Sequence, residues 1–278
     1  MKSSHVFTTL LLALQAGSAH AAVIAFTATG TSATDATLVS AVNSYRNAIS
    51  NGGGNNGVAG GPFTNGRREI NWDAAGLDSS AVPNSMAGNF FNNNSKRGAV
   101  FVADGGGSLL VSGRIAAGSP DLRFSTLNSG FSTTFQSFSA DRLFGLSGTN
   151  SLTTTFFVPN QPTLAATVSS FGAIFTDVDA VGSMIEAFDI NNQFLGAVNV
   201  PTLDSGLSFA GISFDGGEQI FSIRITAGGG GLDQNASRTL DMVAMDDFFY
   251  SEPQAIPEPS VSIICSLAGL ALLRRRRC

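Results

Sequence analysis

Residues 167–200 read TVSSFGAIFTDVDAVGSMIEAFDINNQFLGAVNV. Three runs rich in β-branched and aromatic residues, Thr167 to Phe175, Ser183 to Asp189 and Phe194 to Val200, are separated by Asp, Gly, Ser and Asn. Short apolar runs punctuated by turn residues predict successive β-strands. The rhythm continues on both sides. Ala99 to Ala103, Leu109 to Gly113, Leu122 to Leu127, Ser132 to Ser139 and Leu152 to Val158 come before, and Ser208 to Phe214, Ile220 to Thr226 and Met242 to Tyr250 come after. Many short strands without a βαβ alternation predict an all-β fold, a jelly-roll-like antiparallel β-sandwich. A β-helix would need a regular short repeat, which the sequence lacks. An immunoglobulin-type sandwich is the alternative, with fewer strands than are counted here.

One helix interrupts this pattern. From Asp35 to Ser50, Leu38, Val42, Tyr45 and Ile49 recur at helical spacing, Thr34 or Asp35 can cap the start, and Gly52 follows the end. The Gly and Asn run from Asn51 to Gly61 is expected to be a mobile loop. It carries no Lys-Ser or Lys-Thr pair and is not flanked by a strand and a helix, so it does not read as a phosphate-binding loop.

Residues Met1 to Ala21 have the layout of a secretory signal: Lys2, an apolar stretch from Val6 to Leu14, and the small-residue site Ala19-His20-Ala21. At the other end, PEPSVSIICSLAGLALLRRRRC spans Pro257 to Cys278. The apolar stretch Val261 to Leu273 would make a helix of roughly 20 Å at about 1.5 Å per residue, short for a hydrocarbon core of about 30 Å. Arg274, Arg275, Arg276 and Arg277 would lie on the cytoplasmic side. An unprocessed tail anchor is the plainer alternative. The combination of Pro257-Glu258-Pro259, a short hydrophobic helix and the arginine cluster resembles the PEP-CTERM sorting signal. The resemblance covers the last 22 residues and departs from the pattern in ending on Cys278. It implies a Gram-negative exporter of exopolysaccharide and recognition by an exosortase. It further implies a transient inner-membrane anchor and final residence at the cell surface or in the extracellular matrix. The chain thus divides into a signal peptide (1–21), a β-sandwich ectodomain (22–255) and a sorting tail (256–278).

Composition limits what the ectodomain can do. His5 and His20 lie in the signal, and Cys265 and Cys278 in the tail, so the span 22–255 has neither residue type. Catalytic centres built on Ser-His-Asp or Cys-His, and metal sites built on His or Cys, have no ligands there. Disulfides are excluded as well, so the core alone must hold the domain; 21 of the 22 phenylalanines belong to it. The same span has 19 acidic and ten basic residues, a formal net charge of −9. Nucleic acid and anionic lipid are poor partners for that charge; cations and neutral sugars are better ones, although an acidic surface also serves solubility.

Three acidic segments are candidate sites. In Gly66-Arg67-Arg68-Glu69-Ile70-Asn71-Trp72-Asp73, alternation puts Ile70 and Trp72 on one face and Glu69, Asn71 and Asp73 on the other. Either Trp72 seals the core while Arg67 or Arg68 pairs with Glu69, or Trp72 is exposed as a sugar-stacking platform with Glu69, Asn71 and Asp73 as polar partners. Asp177 with Asp179, and Asp246 with Asp247, are candidate Ca²⁺ ligands, because neighbouring carboxylates repel unless a cation or an arginine neutralises them; turn-capping aspartates are the alternative. The stretch from Asp177 to Phe188 is not an EF-hand loop: Val181 holds position five, Phe188 position twelve, and Glu186 comes two places early.

Glycoside hydrolysis is the remaining enzyme class to weigh, and it needs two carboxyl groups about 5–9.5 Å apart. On an extended strand Glu69 and Asp73 stand about 13 Å apart, and Asp177 and Asp179 about 7 Å. Any i, i+2 pair meets that distance. The acidic segments, in their order, also resemble all-β ectodomains that precede PEP-CTERM tails, which implies a sandwich and assigns no activity. The expectation is an exported, exosortase-sorted, non-catalytic surface or matrix protein that binds exopolysaccharide or another partner. A carboxylate glycosidase acting on matrix glycan is the competing reading.

Overall fold

A computed structural model describes residues 22–256 except 62, 75–76, 78–82, 115–117, 215–218 and 234–239. The expected signal peptide and the tail from Pro257 onward, with its short hydrophobic helix, lie outside the described residues. Among those described, no helix is long and apolar enough to cross a membrane.

In chain order the strands are β1 (Val23–Gly30), β2 (Arg67–Ile70), β3 (Asn84–Ser85), β4 (Ala99–Ala103), β5 (Ser108–Val111), β6 (Phe144–Ser147), β7 (Ser151–Phe156) and β8 (Ala166–Thr167). They continue with β9 (Ser170–Val178), β10 (Met184–Phe188), β11 (Phe194–Asn199), β12 (Leu203–Phe214), β13 (Ser222–Thr226), β14 (Ala244–Ser251) and β15 (Gln254–Ala255). They form an eight-stranded sheet in the order β1-β12-β9-β14-β6-β5-β3, with β2 paired to β14, and a five-stranded sheet in the order β11-β10-β13-β7-β4. The named strand pairs are antiparallel. The chain crosses repeatedly between the sheets, from β9 to β10, from β11 to β12, and from β13 to β14. That wrapping is what the jelly-roll-like expectation requires.

The burial pattern explains each strand's sequence. In the five-stranded sheet, β7, β10 and β13 alternate buried and more exposed positions, as strands with one solvated face do. In the larger sheet, β9 (SFGAIFTDV) and β14 (AMDDFFYS) are buried at every position. One face meets the other sheet through a core that includes Phe101, Phe144, Phe156, Phe171, Ile223 and Phe248. The opposite face of the large sheet is covered by helix α1 (Ala36–Ile49), whose Leu38, Val42, Tyr45 and Ile49 pack on Ile174, Leu207, Phe209 and Phe249. Those are the four helix positions expected to be apolar contacts. Asp35 caps α1 by accepting from the Thr37 and Leu38 amides.

Two glycines make room for the helix. Gly172 and Gly211 face each other across β9 and β12. A Cβ at either would lie 2.8 Å from the Tyr45 ring, so their absence of side chains leaves a pit that the ring fills. The Tyr45 hydroxyl donates to the Ile212 carbonyl at the bottom.

Three local expectations need correction. Leu122 to Leu127 and Ser132 to Ser139 are not strands. The first contains a 3₁₀ turn (Leu122–Phe124) and the second overlaps a short helix, α2 (Phe131–Thr134). Arg123 and Phe124 have φ of 50° and 68°, and the Asp121 carboxylate accepts from the Gly113 and Thr126 amides, curling the segment. Its Phe124, Phe131 and Phe135 plug a small core with Leu110, Leu143, Leu232 and Ala244. The run therefore owes its aromatics to plugging and not to strand pairing. Third, the stretch Asn51 to Gly61, expected as a mobile loop, is tied to the sheet. Asn56 N donates to Arg67 O and Arg67 N to Gly54 O, while Arg68 Nη1 donates to the Gly57 and Ala59 carbonyls. Strands β1, β3, β6 and β15 are additions that the short-run pattern did not reveal.

Candidate functional site

The best-defined acidic site forms where β9 ends and β12 begins. Asp177 turns the chain with φ 63°, Ser205 does so with φ 52°, and the β9–β12 register slips between Leu203 and Leu207. The slip brings the Asp204-Ser205 turn over the Asp177-Val178-Asp179 end. One carboxylate oxygen from each of Asp177, Asp179 and Asp204 lies within 4.8 Å of the others. Asp177 Oδ1 accepts from Ser205 N at 2.8 Å, and the Asp241 carboxylate accepts from the Asp179 and Ala180 amides at 3.2 Å each.

Electrostatics follow from that crowding. Burial pushes the Asp177 carboxyl up to about 6; the Ser205 amide opposes the shift, and Asp179, Asp204 and Asp241 add to it. Asp179 is raised too, by desolvation and then by Asp204 and Asp241. Among the described residues no arginine or lysine forms an ion pair with this group. The donor set is oxygen only, as a hard cation such as Ca²⁺ requires. The pair Asp177 and Asp179 was legible in sequence. Asp204 and Asp241 were not, because strand pairing across β12 and the loop before β14 supplies them.

Asp246 and Asp247 do not join this cluster. They sit at a bulge of β14, where the register against β9 shifts between Met245 and Phe248. Asp246 Oδ2 accepts from the Phe138 and Ser139 amides at 2.6 and 3.2 Å, and Asp247 accepts from Ser139 Oγ and lies 3.7 Å from Arg46 Nη2. Burial holds the Asp246 carboxyl well above its ordinary range, with the Asp247 charge adding to it, and pushes Asp247 up to about 6 against the Ser139 bond and Arg46. The two carboxylates fasten the 138–139 segment and α1 to the sheet.

The Trp72 segment resolves in favour of the core. Trp72 is fully buried, stacked on Phe144 at 4.2 Å between centroids and met edge-on by Phe91 and Phe248, and its Nε1 donates to Asp246 O. The sugar platform is therefore ruled out: pairing of Ile70 with Phe248 carries the indole under the sheet and away from solvent. Glu69 is held by Arg67 and by Arg46 of α1, Asn71 is exposed, and burial raises the half-buried Asp73 carboxyl beside Arg142 and Asp141. These polar groups no longer surround a stacking face. Arg68 shares the buried face of β2 and pairs with Glu252, a partner the sequence did not suggest.

Two surface grooves are large enough to consider as glycan clefts. One, of about 500 Å³, is lined by Thr167, Asp189, Ile190, Leu195, Gln219, Gln254, Ala255 and Ile256. The other, of about 190 Å³, contains Glu252, which is engaged by Arg68. Each has one carboxylate, so neither presents two facing carboxyl groups from different strands. No family model, no curated protein and no solved structure matches the chain.

Proposed function

We propose that this chain is an exported cell-surface or matrix protein, sorted through its tail by an exosortase-type enzyme, whose sandwich acts by binding and not by catalysis. The observation that carries the reading is the position of the two sequence signals relative to the described strands. The first described strand begins at Val23, next to the expected cleavage after Ala21, and the last ends at Ala255, just before Pro257-Glu258-Pro259. Exopolysaccharide is the ligand class that suits matrix residence and a net acidic body. Binding of the purified protein to the producing organism's own exopolysaccharide is the direct assay.

Sorting is tested by intact mass on protein recovered from the envelope or matrix. The expected chain begins near Ala22 and ends near Pro257, so Cys265 and Cys278 are both absent. A mature surface protein that still carries Cys278 overturns the processing step and leaves a tail anchor.

Within this reading the cluster of Asp177, Asp179 and Asp204, with Asp241 beside it, holds a stabilising Ca²⁺. A ligand bound only by the folded state raises the melting temperature by mass action. The protein should therefore melt higher in millimolar Ca²⁺ than in chelator, and Asp204→Asn should abolish the difference. An unchanged melting temperature removes the cation from the account.

A further inference from the structure

The outer edge of β1 is a long unpaired edge of the large sheet. β1 is the terminal strand of the large sheet and is matched residue for residue to β12, from Val23 opposite Phe214 to Gly30 opposite Leu207, with no bulge. Among the described residues no strand and no other backbone hydrogen bond occupies its free side. Proteins usually blunt such an edge with a charge, a proline or a bulge, or keep it short. VIAFTATG has no charge and no proline, and spans roughly 26 Å at about 3.3 Å per residue. Other sheet ends are handled differently: β3 is two residues long, β4 is met from outside by Gly88, whose carbonyl accepts from the Phe101 amide, and β11 is six residues long and pairs with β10 across a bulge at Ala187 and Phe188.

An apolar corner adjoins the free edge. Val23 packs on Gly196 of β11, where a Cβ would stand 2.3 Å from its methyl group, so the edges of the two sheets meet there. Val23 and Ile24 of β1 and Phe194 of β11 are 36%, 39% and 55% exposed.

We infer that β1 pairs antiparallel with β1 of a second copy, joining two sandwiches through one continuous sheet. Charge selects this occupant. The body is strongly acidic, so an edge carrying any of its carboxylates would set like charge against like in a symmetric pair; β1 carries none. Its pattern is also self-complementary. Phe26 and Ala28 lean toward α1, while Ala25 and Thr27 are exposed on the other face. A two-fold axis perpendicular to the sheet places either Phe26 or Thr27 opposite itself, and both registers keep each face matched to its own kind. The contact is small beside the ~1,600 Å² of a standard interface, whose affinities start at about micromolar, so the dimer is expected at about 1–100 μM. Screening of the two acidic bodies makes it tighter as salt rises.

The test is sedimentation velocity on the full-length chain in a density-matched mild detergent. The expected result is a concentration-dependent shift from 28.6 kDa to twice that mass. The double variant Ala25→Lys with Thr27→Lys puts Lys opposite Lys in both registers, and it should stay monomeric at 100 μM with unchanged circular dichroism and melting. Mixing it with Ala25→Glu, Thr27→Glu protein should restore a dimer that neither forms alone, which a misfolded variant could not do. A wild-type monomer at 100 μM, an open-ended aggregate in place of a closed pair, or a Lys variant that dimerises like wild type each overturns the inference. None of these outcomes depends on the sorting reading.

Discussion

Glu252 stands five residues before Pro257, and it forms a buried two-pronged ion pair with Arg68. Arg68 Nε and Nη2 each donate to a Glu252 oxygen at 2.6 Å, Arg68 Nη1 holds the Gly57 and Ala59 carbonyls at 2.8 Å, and Asn56 Nδ2 donates to Glu252. The two side chains are 0% and 2% exposed. Arg68→Met leaves a buried carboxylate without its countercharge, a loss of about 3–5 kcal/mol. For a domain of this size each kcal/mol moves the melting temperature by about 2–4 °C, so the variant should melt on the order of 10 °C lower. The pair itself stabilises far less than that, because both ions were desolvated to make it. The double variant Arg68→Met, Glu252→Leu should therefore recover most of the loss. Differential scanning calorimetry of the three proteins is the assay, with limited proteolysis reporting the 51–61 stretch. Arg68→Met melting within 2 °C of wild type, or a double variant no better than the single, would refute this reasoning.

Three further outcomes can be checked. Gly172→Ala drives a methyl group into the Tyr45 ring and should cost about 1–3 kcal/mol in urea unfolding, with part of the loss recovered by Tyr45→Leu. Asp177 holds its proton more tightly folded than unfolded, so without divalent cations its contribution to stability is full below about pH 4 and is lost as pH rises through about 6. Asp177→Asn should flatten that part of the profile of unfolding midpoint against pH, and an unchanged slope would sink the assignment. Asp246→Ala strips the acceptor from the Phe138 and Ser139 amides and should lower stability by about 1–3 kcal/mol, with faster hydrogen exchange at those two amides.

Sequence alone was sufficient where the signal is local. Apolar residues at helical spacing behind a capping Asp35 specified α1 and its four buried contacts, and short runs between turn residues specified most strands of the sandwich. The alternation of Ile70 and Trp72 against Glu69, Asn71 and Asp73 was also readable, because a strand's two faces follow from its period of two. What remained open was which face would be covered, and only the pairing of β2 with β14 decided that Trp72 lies inside. The same holds for the acidic residues. Asp177 and Asp246 look alike in sequence, each beside another carboxylate at a strand end or bulge. One faces Asp204 across a register slip; the other faces the Phe138 and Ser139 amides and lies beside an Asp247 that approaches Arg46. Those neighbours come from segments distant in the chain, and charge, burial and pKa are set by neighbours. Local pattern therefore determined the strands and the helix, while the tertiary contacts decided what each carboxylate and aromatic could do.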